Sequence, residues 1–533
     1  MPIAALLPLL TLCLPTAGQS NLDVTTRISE ATAGAQPDSV SWNERISRDG
    51  RFVVFTSHAS NLVPGDTNNV WDVFLRDRLL GTTERVSLDS LGNQLASFSD
   101  SGSVSADGRF VLFGSADPNV TPGDTDTAND GFLRDRLMGT VTRVTKTWTG
   151  AEFSSTAYDL VMTPDARFIA WTAQGTDLVP GITNVVSDVF VRDRLLGTLE
   201  RVSVSTLGTE ANLAVGRPSI SDDGRFVTFV TKSTTLDPTD FDVKMDVFLR
   251  DRTAGTTESI SDGLSGAPSD GACDRAMISG DGNWIAFSSN STNLIPNDSN
   301  AAHDVFVFNR VAQTIERVSL DSYEQQTLGT NAFAQPQISH DGHFVLMKCD
   351  TSMGVPTDTN VVDDLFLRDV WAGVTQRASL TSAGAQGGLA VDGQGSISAN
   401  AETVVFNTWS AMTTSDTNSI GDVFARDFGQ PGPLLTMTPL ISAQPTTIRL
   451  LGATPAAPIV LAWNIAGQGE VPSPWGIADL AEPFFVLPWA TDISGVASLT
   501  IGVPPGLTGL PIWIQALDVI TLDLSNSAAA IIQ

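Results

Sequence analysis

Carboxylates and amides recur along this chain at a spacing suited to holding a cation. Oxygen-bearing residues stand at offsets 0, 2 and 6 in six places: Asp66/Asn68/Asp72, Asp124/Asp126/Asp130, Asp240/Asp242/Asp246, Asp298/Asn300/Asp304, Asp358/Asn360/Asp364 and Asp416/Asn418/Asp422. A further copy, Ile182/Asn184/Asp188, lacks the first carboxylate. Alternate acidic residues in a tight loop can turn several oxygens inward, and Ca²⁺ accepts about six to eight such ligands. Crowded carboxylates also need neutralisation or solvent. The spacing raises structural Ca²⁺ in at least one loop, with the Ile182 copy as an internal control that should stay empty. A plainer reading leads: the first Asp makes an Asx-turn and the last caps the entry into a strand, with water on their oxygens.

The loops resemble the start of an EF-hand loop and the Asp-rich loops of integrin-type propellers. They depart from both, with no Gly at the EF-hand turn and no bidentate Glu at its end.

Other candidate chemistry is thin. Arg76, Arg134, Arg192, Arg250, Arg368 and Arg426 each precede an Asp, and Phe308-Asn309 takes that place once. A catalytic group is not needed in every copy of a repeat, so the dipeptide reads as a structural ion pair or hydrogen bond between strands. His58, His303, His340 and His343 form no metal-binding pair; His340 and His343 flank a turn and read as solvated. There is no Gly-x-Ser-x-Gly elbow and no phosphate-binding Gly loop between a strand and a helix. Asp38, Glu152, Asp270 and Asp274 share no pattern across copies and read as solvated loop residues. Cys273 and Cys349 read as two separate buried thiols.

The elements that position the loops repeat with them. Each loop runs into an apolar triplet whose aromatic falls at Phe74, Phe132, Phe190, Phe248, Phe306, Phe366 and Phe424, at spacings of 58, 58, 58, 58, 60 and 58 residues. So regular a period means one supersecondary unit repeated. In the first copy Val40–Ile46 leads through Ser47-Arg-Asp-Gly50 to Arg51–Thr56, then by the acidic loop to Asp72–Arg76 and by a tight turn to Thr83–Ser87. Short β-rich runs and turn residues make this an antiparallel four-stranded meander. The third and seventh copies carry Ala166 and Ala401 where the others have the turn Gly, so looser turns are expected there. The seventh copy stops at Phe428 without its fourth strand, whereas Thr25-Thr-Arg-Ile-Ser29 matches Thr83-Glu-Arg-Val-Ser87 ahead of the first full copy. A strand displaced to the far terminus closes a ring and removes exposed sheet edges. Residues 20–428 therefore read as a seven-bladed β-propeller closed by an N-terminal strand. The Ser-x-Asp-Gly-Arg-Phe and Asp-Val-Phe-Leu-Arg-Asp frame resembles the TolB-like, WD-repeat-like propeller family, a resemblance that implies a binding module or accessory domain.

Outside the repeats, Gly429-Gln-Pro-Gly-Pro433 opens a linker, 429–435, and residues 436–533 read as a small C-terminal β-sandwich. Some 100 residues cannot hold the hydrolase domain of propeller peptidases. At the other end an apolar run followed by small residues resembles a signal peptide, 1–19, implying a secreted, periplasmic or cell-surface protein. The net charge of −29 repels phosphate backbones and argues against nucleic acid as a partner. No later stretch is long and apolar enough to be a transmembrane segment. The chain reads as an exported, non-enzymatic monomer that binds a protein or glycan partner through its loop face. The alternative is a propeller hydrolase or lyase acting on an extracellular polymer.

Overall fold

The structure is a computed structural model. It describes residues 23–428, apart from 154, 301, 323, 327–335, 350–352, 354–357 and 361, and beyond them the backbone of strands lying between 434 and 531. The signal-peptide reading of 1–19 lies outside the described residues. The chain divides into two compact units, Asp23–Asp427 and Phe428–Gln533 with Met1–Leu22.

The first unit is the expected seven-bladed propeller. Blade one is Ser41–Ile46, Phe52–Ser57, Asp72–Asp77 and Thr82–Arg85, hydrogen-bonded in that order. Blades two to six repeat the meander. Blade seven takes Val391–Ile397, Thr403–Thr408 and Asp422–Asp427 from the end of the unit and Val24–Arg27 from its start, with Thr25 opposite Arg426 and Arg27 opposite Phe424. The second and third strands carry unbroken apolar runs because both faces are covered by neighbouring blades. Phe52–Ser57 and Asp72–Asp77 are buried along their whole length. Across these strand pairs aromatic rings meet in six blades, as in Phe55–Phe74 at 5.9 Å between centroids, and in blade six Met347 faces Phe366.

Blades are stapled to one another by side chains of the repeat. Arg136, Arg194, Arg252 and Arg310 lie over Phe52, Phe110, Phe168 and Phe226 of an adjacent blade, at 5.6, 4.8, 4.8 and 4.1 Å from the ring centroid. The turn glycines let these blades approach: a Cβ on Gly108 would stand 2.5 Å from the Phe52 ring, and φ there is +69°. Looser turns in copies three and seven are not what forms. Ala166 and Ala401 both adopt φ 57°, and Ala166 N donates to Thr163 O at 2.8 Å as Gly50 N does to Ser47 O at 3.0 Å. Tertiary packing holds the same turn despite the Cβ.

The innermost strands are bulged. Register slips between Trp42 and Arg45, Tyr158 and Val161, Gly216 and Ser219, and Cys273 and Ala276. Asn43, Asp159 and Arg217 adopt positive φ at these slips. Such bulges re-aim side chains, here around the central channel. Cys273 and Cys349 are buried and form no disulfide, in line with two separate thiols.

In the second unit, three-stranded, four-stranded and two-stranded sheets form, including Pro445–Leu451, Pro458–Asn464, Phe485–Ala490 and Pro511–Asp518. Its first strand is Leu434–Met437. Leu434 and Leu435 are already apolar strand residues that pair with Leu450 and Leu451.

Candidate functional site

The acidic loops are built around a buried latch. Their last Asp opens the third strand and accepts from a hydroxyl two residues past the fourth: Ser87 to Asp72 at 2.6 Å, Thr145 to Asp130 at 2.8 Å, and Ser29 to Asp422 at 2.5 Å. The strand-entry role expected of that Asp is therefore its role. The Asx-turn expected of the first Asp forms in blades one, four and seven, where Asp66, Asp240 and Asp416 accept the amide two positions on, and a second turn follows it. The middle residue accepts the amide two positions on, as in Ala128 N to Asp126 at 2.8 Å and Ile420 N to Asn418 at 3.1 Å. In blade four the first Asp also accepts, from Asp242 N at 3.3 Å.

The asparagines at the middle position, candidates for metal ligands by spacing, make turn and brace contacts. Asn68, Asn300 and Asn360 turn their amide oxygens to the backbone, accepting from Val70 N at 3.4 Å, Ala302 N at 3.1 Å and Val362 N at 3.4 Å. The nitrogen ends of Asn68, Asn360 and Asn418 donate to Leu95 O, Gly387 O and Pro37 O at 2.9, 3.0 and 3.0 Å. Asn68 also donates to Asp72 at 2.8 Å, and Asn300 hydrogen-bonds Asp304. Asn68, Asn300, Asn360 and Asn418 are thus turn and brace residues.

Five of the six candidate loops also receive an arginine from the fourth strand. Arg85 reaches Asp66 at 3.0 Å and Asp72 at 3.1 Å. Arg143 reaches Asp124, Asp130 and Glu152 at 3.4, 3.2 and 2.9 Å. Arg317 meets Asp298 and Asp304, Arg377 meets Asp358 and Asp364, and Arg27 lies 3.9 Å from Asp416 and 4.0 Å from Asp422. In these loops a guanidinium supplies positive charge beside the carboxylates. The loop without a first carboxylate behaves likewise, with Arg201 pairing Asp188 and Glu210 and Ile182 buried. Blade four alone has Ser259 in the arginine's place. Asp240, Asp242 and Asp246 gather there with ligand-capable oxygens within 4.8 Å of one another. Burial raises the Asp246 carboxyl to about 7, and Asp240 and Asp242 add to the effect. Asp124, Asp126, Asp130 and Glu152 form a comparable cluster, with the Arg143 guanidinium among them. The arginine is the partner that motif spacing missed, although comparing Arg85, Arg143, Arg201, Ser259, Arg317 and Arg377 down the repeats exposes it.

The repeated Arg-Asp does not pair with itself. Asp77 binds Arg51, Asp135 binds Arg109 and Asp251 binds Arg225, each at 2.7 Å, while Arg76 donates to Gly81 O and Thr83 Oγ1. His343 takes the Arg51 position in blade six. It is buried rather than solvated, 2.8 Å from Asp369 and stacked on Trp371. His340 also has partners, Arg48 and Asp222, with which it lines one concavity. Asp38, Glu152 and Asp270 clasp neighbouring loops through Ser60, Thr125 and Thr292, so they are structural rather than merely solvated. Asp274 pairs with Arg217.

Two concave features remain. The central channel holds a cavity of about 430 Å³ lined by the inner strands, including Arg45, Arg217, Arg275 and Asp159. Arg275 lies 3.7 Å from Asp159, and burial lowers its pKa to about 10, with Arg45 and Arg217 adding to the effect. The second feature is a cleft of about 360 Å³ between blades seven and one, opening beside the acidic loops. Trp42, Trp71 and Trp409 line it over a polar floor of Glu44, Asp392 and Asn407. Trp42 and Trp71 meet edge to face at 5.7 Å, and Trp409 Nε1 donates to Asp392 at 2.8 Å. Trp42 and Trp409 are 43% and 45% exposed, unusually open for residues of this size. Asn407, with its amide turned to satisfy both neighbours, donates to Asp392 O at 2.6 Å and Glu44 Oε2 at 3.3 Å. Burial pushes the Glu44 carboxyl up to about 7, opposed by Arg45 and reinforced by Asp392. Sequence motifs missed this cleft because its tryptophans are departures from the repeat, each at a position the other copies fill differently.

No protein-family model matches the sequence, and no curated protein matches it. Among solved structures the chain is similar to a putative TolB from Agrobacterium tumefaciens, at 16% identity and TM-score 0.32 over 53% of this chain and 81% of that one. It is similar to prolyl oligopeptidase B from Galerina marginata at 10% identity and TM-score 0.38, over 82% of this chain but 57% of the other. The RRP9 WD40 repeats align at 7% identity and TM-score 0.29, over 61% of this chain and 91% of theirs. The chain is a seven-bladed β-propeller, a statement that rests on its seven sheets and their closing register.

Proposed function

We propose that this is an exported, non-enzymatic propeller that binds a glycan in the tryptophan cleft on its loop face. The observation that carries this reading is the set of three tryptophans around one open cleft with a carboxylate and amide floor. Aromatic faces stack on the C–H faces of sugar rings, while Glu44, Asp392 and Asn407 offer directional partners to hydroxyls. Export is supported by the apolar run and small residues of the N-terminus. The test is titration of the purified protein with a panel of neutral and acidic oligosaccharides, followed by tryptophan fluorescence and calorimetry. Saturable binding that is lost in Trp409→Ala and Trp42→Ala supports the reading; no binding by any oligosaccharide at millimolar concentration overturns it.

One observation favours a second reading, glycan hydrolysis or lysis. Burial pushes Glu44 to about 7 in a cleft where a second carboxyl group, that of Asp392, also lies, and paired carboxyl groups across a cleft are what glycosidases use. Chain-shortened products in the same incubations, abolished in Glu44→Gln while binding persists, would establish it.

A further inference from the structure

Blade four breaks the repeat at two linked positions. In the other blades the fourth-strand arginine is followed nine residues later by Gln or Glu, as in Arg143 and Glu152 or Arg377 and Gln386. The pair interacts directly, at 2.9 Å in blade two and 2.8 Å in blade six. In blade four Ser259 and Pro268 stand at these positions, so the guanidinium and its brace are lost together. The carboxylates that the guanidinium serves elsewhere are retained.

The retained carboxylates are left without a buried countercharge. Asp240 is 7% exposed, and its Oδ2 is buried with no hydrogen-bond partner. Among the described residues, Asp188, Asp358, Asp364 and Asp422 also carry such a buried oxygen, each in an ion pair with the arginine of its blade, and so does Asp222, in an ion pair with Arg48. Asp240 has no such pair. Lys244 is the nearby cation, but it bonds Asp242 at 2.9 Å and Ser269 O at 3.0 Å and is itself 41% exposed at the side chain.

We propose that blade four holds a divalent cation of the calcium class, bound by Asp240, Asp242 and Asp246 in the position that an arginine fills in the other blades. All three donors are hard oxygens, the ligand type that Ca²⁺ takes and that softer transition metals do not select. The cation replaces an internal positive charge with an external one, so this one blade depends on its surroundings for the neutrality its neighbours carry in their sequence. The site is independent of the tryptophan cleft.

The test uses the full chain, stripped with a chelator and titrated with CaCl2 by calorimetry, with melting followed in parallel. Saturable binding of Ca²⁺ and a rising Tm are expected, at affinities typical of extracellular modules, roughly 10⁻⁴ to 10⁻³ M. Asp240→Asn should weaken binding at least about tenfold, a loss of about 1.4 kcal/mol. Ser259→Arg with Pro268→Gln restores the repeat and should melt at the same temperature with and without calcium. The restored variant also guards against a site variant that fails to fold. No heat and no Tm shift at millimolar CaCl2, or a shift that survives in both Asp240→Asn and the restored variant, overturns the proposal.

Discussion

Ser29, on the stretch that supplies blade seven's last strand, donates a 2.5 Å hydrogen bond to Asp422, a residue 393 positions away. The bond repeats the latch that Ser87 makes to Asp72 within blade one, so the ring closes with the contact that builds each blade. Ser29→Ala leaves a buried carboxylate short of a donor and should cost about 2 kcal/mol. Deleting 20–30 should go further, exposing the edge of Asp422–Asp427 and promoting aggregation. Urea melts and light scattering check both; unchanged stability would count against closure by this strand.

Arg143 stands among Asp124, Asp130 and Glu152 with 5% of its surface exposed. Arg143→Met should destabilise the protein by about 3–5 kcal/mol, because it leaves buried carboxylates unopposed. Arg225→Ala removes an ion pair whose arginine is 43% exposed at the side chain, and should cost far less, because water screens the pair. Chemical denaturation of the two variants side by side tests the distinction.

Glu44 makes stability depend on pH. Its folded pKa of about 7 lies above the ordinary 4.5, so the folded state holds a proton that the unfolded state has already released. Stability from this group is complete below the unfolded value and is lost as pH rises to about 7, on the order of 3 kcal/mol in all. Glu44→Gln should flatten that part of the curve and be the more stable protein in alkali. Asp77 and Asp135 act oppositely. Hydrogen bonds from Arg51 and Arg109 hold both below the ordinary range, so their contribution is present above 3.8 and is lost on further acidification. Urea melts across pH for the native chain and Glu44→Gln check the sign.

Gly108 and Gly123 both adopt positive φ, but only Gly108 lies against a ring. Gly108→Ala should cost about 1–3 kcal/mol more than Gly123→Ala, since the added Cβ must displace Phe52 as well as accept the strained backbone. Thermal melts of the two variants isolate that steric part.

The propeller was legible because its physics repeats. Val-Phe-Leu without polar alternation marks a strand covered on both faces, and Thr25-Thr-Arg-Ile-Ser29 ahead of the first copy marks closure. The carboxylate triads were legible as residues but not as a site. Arg85 lies 13 positions beyond Asp72 on another strand, and only the antiparallel register carries it back. Asn68 shows the same limit at closer range: its spacing suits a ligand, but Val70 N claims its oxygen and Leu95 O its nitrogen. The tryptophan cleft was less legible still. Trp71 and Trp409 come from opposite ends of the ring and become neighbours only when blade seven meets blade one. His343 misled for a related reason: beside a turn it resembles a surface residue, yet it fills the arginine position opposite Asp369.

The strand Val24–Arg27 is made before the rest of the propeller, and its partner Asp422–Asp427 last. Until synthesis is nearly complete, the earliest β-strand has no mate and the growing array keeps an open edge. Ring closure thus becomes a late, long-range event, with the loop-closure entropy and slow kinetics of non-local pairing. Chains stalled or truncated before blade seven would carry unpaired edges at both ends, the state in which one copy can borrow a strand from another.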